Sequence, residues 1–490
     1  MTRPLLCVTV TAPTTVELRR LRDAVTEADL VELRLDSVSD PDVAGALTDR
    51  RRPVIITCRP VWEGGRFQGS EDERRRILAE ALSLGAEYVD IESRAGFDDL
   101  ISQTGGRRIV LSYHDFSGLP PDLSGLVKAM CATGAEVVKV AVKANALGDC
   151  LPLLDLGARM GRPEGLVLIG MGPFGVTTRV LAGRFGSTWT YAGEDERVGQ
   201  IPAQALLHEY RFRSLTRASE VYGLVGMPIS HSVSPAMHNA AFGALRLDAV
   251  YLPLAAADPD DFVTFARAIG MKGASVTIPH KVAMFDRVDE VDSVARRVGA
   301  VNTIRLIGGR WIGSNTDVEG FLRPLAERTP LKGLTAAVLG SGGAARAVAV
   351  ALTSSGCHVR LHARNQERAK EVVVMTGAEV GPYPPEPGSW DLLVNCTPIG
   401  MYPDVDRSPI DADRLTGRYV YDLVYNPTET RLLRDAARAG CQTIGGLEML
   451  VAQAREQFHW WTGLRPPGPV MREAALKRLA EFMRDEDHVV

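Results

Sequence analysis

The first half of the chain repeats one pattern eight times: a short β-branched apolar run, a polar turn, then an amphipathic stretch. The runs are Leu5–Thr11, Asp29–Leu35, Val54–Arg59, Tyr88–Glu92, Ile109–His114, Glu136–Val142, Leu166–Met171 and Thr188–Tyr191. Helical patterns such as Val16–Glu27, Asp72–Leu84 and Leu123–Thr133 fill the gaps. Parallel strands need a crossover, usually a helix. Eight such units in series predict an α/β fold that opens with a (β/α)8 barrel, a closed parallel sheet with helices outside, over residues 1–215. An open doubly wound sheet is the competing arrangement. The even spacing of the units and the lack of a Gly-rich phosphate turn among them weigh against it.

A chain of 490 residues exceeds one core, so further domains are expected. The polar stretch Arg211–Ser219 ends the barrel pattern, and a new apolar strand starts at Val221. A smaller α/β region is expected over 220–325 and a Rossmann-type nucleotide domain over 326–464. Helical sequence runs from Leu447 to the end, broken by Pro466, Pro467 and Pro469. The 56 basic and 60 acidic residues leave a net charge of −4, with no basic block or aromatic-basic stripe that would mark nucleic acid. No apolar run approaches membrane-spanning length. The seven cysteines are scattered, without a Cys-x-x-Cys pair or metal-ligand spacing, and read as reduced thiols of a cytoplasmic protein. The first strand begins at Leu5, which argues against a leader peptide.

Barrel chemistry gathers at the C-terminal ends of the strands. Those ends carry Glu32, Arg34 and Asp36 on one face of the second run, Arg59 and then Glu63 after the third, and Asp90 and Glu92 on the fourth. The fifth ends Tyr113-His114-Asp115, the sixth holds Lys139, and the turn after the seventh leads to Arg179. Any one of these could be a rim salt bridge. Lys139 stands out because its run, Glu136-Val137-Val138-Lys139-Val140-Ala141-Val142, is otherwise apolar. A buried ammonium pairs or gives up its proton, and a neutral lysine amine forms imines with ketones. A histidine nearby adds a proton shuttle. Lys143 shares the face of Lys139 by alternation, so the pattern alone leaves both open.

At Glu32-Leu33-Arg34-Leu35-Asp36, Thr57-Cys58-Arg59, Glu63-Gly64-Gly65, Ser112-Tyr113-His114-Asp115, Lys139-Val140-Ala141, Arg179 and Phe185-Gly186-Ser187, this half resembles type I 3-dehydroquinate dehydratase. The resemblance implies that Lys139 forms a Schiff base with the substrate ketone and that His114 moves the protons. It also implies that Glu63 orients His114, while Arg34, Arg59 and Arg179 hold the carboxylate and hydroxyls, with Glu32 and Gln200 among the substrate contacts. The imine serves as electron sink, so no metal is implied. One position departs from the family: Glu196 stands four residues before Gln200, where the closing loop usually carries a small hydroxyl residue.

In the second half, Gly340-Ser341-Gly342-Gly343-Ala344-Ala345 follows the strand Ala336-Ala337-Val338-Leu339 and precedes a helix rich in Ala and Val. Glycines let the backbone approach a pyrophosphate, and the helix N-terminus favours its charge. The next strand ends at Arg364, followed by Asn365 and Arg368, where an NAD site would carry an acid. Bases there suit the 2′-phosphate of NADP. Ser275-Val276-Thr277-Ile278-Pro279-His280-Lys281, Gly299-Ala300-Val301-Asn302-Thr303 and Asn315-Thr316-Asp317 add amine, amide, hydroxyl and carboxylate groups suited to a hydroxylated substrate.

These segments resemble shikimate dehydrogenase. So do Gly226-Met227-Pro228-Ile229-Ser230-His231-Ser232-Val233-Ser234-Pro235, Asn395-Cys396-Thr397-Pro398-Ile399-Gly400-Met401, Asp422-Leu423-Val424-Tyr425 and Gly446-Leu447-Glu448-Met449-Leu450-Val451-Ala452-Gln453-Ala454. The resemblance implies that Ser232, Ser234 and Tyr425 bind a carboxylate. Thr277, Asn302, Asp317 and Gln453 would bind ring hydroxyls, and Lys281 and Asp317 would form the catalytic pair. The nicotinamide would lie near Thr397 and Met401, and residues 465–490 would return to the 220–325 region. Together the two resemblances imply a bifunctional enzyme that dehydrates 3-dehydroquinate and reduces the product, 3-dehydroshikimate, to shikimate with NADPH, toward chorismate and aromatic amino acids. The competing readings are a catabolic quinate/shikimate dehydrogenase fusion using NAD, and a ligand-sensing regulator on the same folds. Arg364 and Arg368 argue against the first. Joint retention of Lys139, His114, Lys281 and Asp317 argues against the second.

Overall fold

A computed structural model describes residues 3–160 and 165–486. The chain forms two compact units, one running to Ser219 and including Leu254–Ile269, the other built from Glu220–Pro253 and the chain beyond Gly270.

The first unit is built on eight parallel strands: β1 (Leu5–Val10), β2 (Leu30–Arg34), β3 (Val54–Thr57), β4 (Tyr88–Glu92), β5 (Ile109–Asp115), β6 (Val137–Lys143), β7 (Gly165–Met171) and β8 (Trp189–Ala192). Their spatial order is β7-β6-β5-β4-β3-β2-β1-β8, with every neighbouring pair parallel. The ring closes between β7 and β8 without a regular ladder. There the Thr188 N–H donates to the Leu166 carbonyl, while the hydroxyls of Thr188 and Ser187 accept from the N–H groups of Leu166 and Leu168. The crossovers carry α1 (Thr15–Ala24), α2 (Val43–Leu47), α3 (Glu71–Ser83), α4 (Asp98–Thr104), α5 (Leu123–Ala132), α6 (Leu151–Met160) and α7 (Val176–Val180). Thr14, Asp42, Ser70 and Asp122 start α1, α2, α3 and α5, each accepting from the N–H three residues on. Such a cap contributes about 1 kcal/mol and fixes where a helix begins.

Alternation along the strands stacks the barrel interior in layers. Cys7, Leu30, Ile55, Val110, Val137, Val167 and Trp189 form an apolar layer. Two residues further along five of those strands stand Thr9, Glu32, Thr57, Ser112 and Lys139, with Asp90 supplied by β4. The apolar layer closes the barrel, and the polar layer above it becomes the floor of a site.

The second unit opens with a mixed six-stranded sheet. Its strands are β9 (Glu220–Gly226), β10 (Ala249–Ala255), β11 (Gly273–Val276), β12 (Glu290–Val291), β13 (Thr303–Ile307) and β14 (Arg310–Ser314), in the order β10-β9-β11-β13-β14-β12. Its helices are α8 (Ser234–Ala244), α10 (Ser293–Val298) and α11 (Asp317–Ala326), whereas α9 (Pro259–Ala268) groups with the first unit. There the N–H groups of Leu147 and Gly148 donate to the Asp261 carboxylate at 2.9 and 2.8 Å.

A second sheet follows, made of β15 (Thr335–Leu339), β16 (His358–His362), β17 (Glu379–Gly381), β18 (Leu392–Asn395), β19 (Tyr419–Asp422) and β20 (Gln442–Ile444). All its pairs are parallel, in the order β17-β16-β15-β18-β19-β20. Renumbered from its first strand this is 3-2-1-4-5-6, the doubly wound dinucleotide-binding order. Its helices are α12 (Gly343–Ser354), α13 (Gln366–Thr376) and α14 (Arg431–Arg438). Then α15 (Gly446–Thr462) packs on α11, and α16 (Gly468–Glu486) on α8, so the chain returns to the mixed sheet. Residues 487–490 of the expected returning stretch lie outside the described residues. Among those described, no helix is long and apolar enough to cross a membrane.

Two candidate active sites

In the barrel, parallel register sets Lys139 of β6 opposite Ser112 of β5 and places His114 one step higher on the same face. Lys139 is buried, with Nζ 3.1 Å from Asp90 Oδ2, 3.4 Å from Glu32 Oε1 and 4.2 Å from the centre of the Tyr191 ring. Lys143, left open by alternation, is exposed at the end of the strand. The carboxylates are pinned in turn. Glu32 accepts from the hydroxyls of Thr9 and Thr57 at 2.9 and 3.0 Å. Asp90 accepts from Ser112 at 2.6 Å and from Arg59 at 3.0 Å. Arg59 also donates to Glu92 at 3.0 Å, and the other oxygen of Glu92 takes a hydrogen bond from Arg74, a fully buried arginine of α3.

These charges set one another's proton affinities. Burial opposes ionisation of Asp90, but Arg59 and Lys139 outweigh it and hold the carboxyl far below the usual range. Glu92, buried beside Asp90, is pushed up to about 7 despite its two arginines. His114 is held well below the ordinary histidine value by burial and by Arg59 and Lys139, so at neutral pH it is a free base. Its backbone N–H and Nδ1 both meet Glu63 Oε1, at 2.9 and 3.1 Å. Glu63 itself is placed by a tight turn: Gly64 has φ +77°, and a side chain on Gly65 would collide with the Arg59 carbonyl.

Around the rim, Arg34 makes a two-pronged pair with Asp36 at 2.8 and 2.7 Å. Arg179 is buried and, among the described residues, donates to the carbonyls of Tyr191 and Val198 and has no partner for its Nε. Burial without a carboxylate lowers its pKa to about 10. A guanidinium held this way is short of an anion. Gln200 Oε1 accepts from the Asp195 N–H at 2.9 Å. Glu196 opens a short 3-10 turn and is exposed.

The second site forms where β11 runs into Thr277 and Lys281. Lys281 Nζ lies 2.6 Å from Oδ2 of Asp317, the first residue of α11. Asn302 Nδ2 donates to the other Asp317 oxygen at 2.8 Å and to Thr316 at 3.0 Å. Behind them Gln457 donates to Thr303 and to the Asn302 carbonyl and accepts from Ser275, tying α15 to the sheet. Gln453, one turn earlier on α15, is buried where α15 crosses Gly320 of α11. Ser232 accepts from the Ser234 N–H at 3.3 Å and hydrogen-bonds Tyr425, whose phenol is raised by burial and partly lowered again by that bond.

At the C-terminal end of β15 the chain turns through Gly340 at φ +115°, a conformation suited to glycine. No side chain caps the N-terminus of α12, and the space above Gly342 is open. Gly343 faces the stem of Lys281, so the uncapped helix end and the Lys281–Asp317 pair are neighbours. Free N–H groups at a helix start above an open cradle fit a pyrophosphate. Thr397 lies against Gly340 and is fixed by Asn395 at 2.6 Å, and Met401 is exposed beyond it. Asn365 caps α13, and Arg364 and Arg368 are exposed beside it. These residues fit NADP.

Sequence reading passed over Arg74, Arg94, Tyr191 and Gln457. Arg74 lies in the run Glu73-Arg74-Arg75-Arg76, which has the look of a solvated helix face. Gln457 did carry a signal, standing four residues after Gln453 on the same helix face.

Known proteins resemble each part. The family described as type I 3-dehydroquinase matches residues 6–217. The shikimate dehydrogenase substrate binding domain matches 224–304, and the shikimate 5'-dehydrogenase C-terminal domain matches 446–476. The chloroplastic bifunctional 3-dehydroquinate dehydratase/shikimate dehydrogenase of Arabidopsis thaliana is 36% identical over 481 residues, 90% of this chain and 78% of that protein. A shikimate dehydrogenase (NADP(+)) of Symbiobacterium thermophilum is 43% identical over 286 residues, 54% of this chain and 97% of its own. The crystal structure of shikimate 5-dehydrogenase from Thermus thermophilus, in complex with NADP(H) and shikimate, matches at a TM-score of 0.50 and 38% identity, covering 53% of this chain and 99% of that one. With both halves matched and a two-part relative aligned along most of its length, the chain belongs to the bifunctional 3-dehydroquinate dehydratase/shikimate dehydrogenase family.

Proposed function

We propose that the residues assembled above carry two successive steps of the shikimate pathway. Residues 1–215 dehydrate 3-dehydroquinate. Residues 220–325, with 465–490, bind the product, and 326–464 hold NADP. All seven cysteines are free thiols, in keeping with action in the cytoplasm.

In the barrel, the Lys139 amine adds to the substrate ketone and loses water, leaving an imine. Asp90 and Glu32 hold Nζ, and Tyr191 covers it. The imine draws electrons from the adjacent C–H bond. His114, with Nδ1 directed to Glu63, takes that proton through Nε2. The neighbouring hydroxyl leaves as water, accepting a proton from His114, and hydrolysis of the imine frees 3-dehydroshikimate and Lys139. Arg179 offers its unsatisfied charge to the substrate carboxylate. Arg34, Arg59, Glu32 and Gln200 orient the hydroxyls.

In the second site Ser232, Ser234 and Tyr425 take the carboxylate of 3-dehydroshikimate. Thr277, Asn302, Asp317 and Gln453 take its hydroxyls. Gly340, Gly342, Gly343 and Ala344 would hold the pyrophosphate of NADPH, which when bound would supply the hydride. Lys281 gives a proton to the developing alkoxide, and Asp317, 2.6 Å from Nζ, orients the amine. Arg364, Asn365 and Arg368 would hold the 2′-phosphate, and Thr397 and Met401 would hold the nicotinamide end.

The observation that carries this reading is Lys139, enclosed beside two carboxylates and one register step from a neutral His114. A coupled assay tests it. With 3-dehydroquinate and NADPH the chain should yield shikimate. Lys139→Ala should stop NADPH oxidation from 3-dehydroquinate but not from added 3-dehydroshikimate. Oxidation by Lys139→Ala from both substrates would refute the assignment.

A further inference from the structure

Glu63 divides its two oxygens between different partners. Oε1 receives the backbone N–H and the Nδ1 of His114. Oε2 receives Nε and Nη2 of Arg94 at 3.3 and 3.0 Å. Arg94 follows β4 and contributes nothing to the polar floor of the barrel. Its guanidinium lies over two rings, 5.3 Å from the centre of Trp62 and 5.7 Å from that of Tyr113. Both rings are themselves fixed. Trp62 Nε1 donates to Glu71 at 3.1 Å, and the Tyr113 hydroxyl to Asp115 at 3.2 Å. An arginine held over anchored rings presents its planar donors as a fork, which a lysine cannot do. Here that fork meets the far oxygen of a fully buried carboxylate.

We propose that Arg94 is a positioning residue of the dehydratase site, acting through Glu63 to fix the tautomer and orientation of His114. Arg94 on Oε2 favours the ionised form of Glu63 and sets its carboxylate plane. Oε1 then accepts the Nδ1 proton, and Nε2 is left as the base. If Glu63 were protonated, Nδ1 would become the acceptor and Nε2 would carry the proton, which removes the base. Burial outweighs the nearby cations and raises the Glu63 carboxyl above its ordinary range, and Arg59, from the end of β3, joins Arg94 in limiting that rise. His114 is also faced by Arg59, by Lys139 from β6, by Asp90 from β4 and by Arg34 from β2. None of these touches Oε2 of Glu63, so Arg94 can be changed while they stay in place.

This inference rests on the reading of His114 as the proton shuttle. The test is the pH dependence of kcat for dehydration in the full chain, for wild type, Arg94→Met, Arg94→Lys and His114→Ala. Reduction of 3-dehydroshikimate fixes the amount of chain, and thermal melting of each variant shows whether its barrel is folded. Arg94 is half exposed, so its effect is screened. Arg94→Met should lower kcat about two- to tenfold at pH 7 and move the acid limb up by about half a unit to one unit, with KM changed less than about twofold. Arg94→Lys should recover part of both. An unmoved acid limb with wild-type kcat would overturn the proposal, as would a rise in KM alone, which would place Arg94 on the substrate. If His114→Ala kept its activity, the shuttle reading and this inference would fall together. If His114→Ala were inactive and Arg94→Met normal, only the role of Arg94 would fall.

Discussion

Lys139 and Lys281 each stand beside an aspartate, at 3.1 and 2.6 Å, yet their surroundings differ. The Lys139 and Asp90 side chains are 6% and 0% exposed, and the second carboxylate, Glu32, is equally enclosed. Arg59, Arg74 and Glu92 continue the network one step further along the strands. Lys281 keeps 19% of its side chain open and has one carboxylate, facing the cleft that the glycine turn borders. The difference follows the chemistry. A covalent step needs its nucleophile, base and electrostatic partners placed before substrate arrives. A hydride step needs a site that stays open until cofactor and substrate complete it. The barrel site is therefore supported from within one layer of strands, whereas the second is built from the turns and helix ends that follow β11, β14 and β15.

The sharpest way to break the comparison is to remove each lysine. Lys139→Ala should reduce dehydration by about 10⁴-fold or more, since it removes the covalent route, and leave reduction intact. Lys281→Ala should cost reduction about 10²–10⁴-fold, the scale of a lost proton donor, and leave dehydration intact. Separate assays of the two steps check both. Loss of both activities in either folded variant would show that the sites are not independent.

A smaller effect is expected at the cofactor cleft. Arg364→Ala should raise KM for NADPH about ten- to a hundredfold, equivalent to about 1.5–3 kcal/mol for a lost charge-assisted hydrogen bond, and change KM for NADH little. Equal kcat/KM for the two cofactors in the wild type would contradict the assignment of Arg364 and Arg368 to the 2′-phosphate.

The smallest expected effect is one of pH. His114 is held below its ordinary value, about 6.5, by burial and by the cations around it. Its base form therefore persists as pH falls, and the acid limb of kcat/KM for dehydration should lie below about pH 6.5. A limb above that value would mean that His114 is stabilised as a cation in the free enzyme.

Much of this arrangement was legible in the sequence because it rests on local pattern. The β-branched runs became the eight barrel strands with ends displaced by at most two residues, and alternation sent Glu32, Asp90 and Lys139 inward. The basic residues after β16 and the glycines after β15 fell where the doubly wound order puts a dinucleotide. What pattern could not give was pairing over long separations. Nothing local marks Arg74, from the helix before β4, as the partner of Glu92 at that strand's end. Nor does anything local mark Arg94 as the partner of Glu63 across 31 positions. The choice between Lys139 and Lys143 also needed three dimensions: both share a face, and only the height of each along β6 separates floor from rim.

That choice is the centre of the account, and it can be read directly. Borohydride reduces an imine to a stable amine, so treating the chain with 3-dehydroquinate and borohydride should inactivate dehydration and leave one adduct. Mass spectrometry of the digested chain should find that adduct on Lys139, with Lys143 and Lys281 unmodified. An adduct on Lys143, or full inactivation without any adduct, would contradict the assignment.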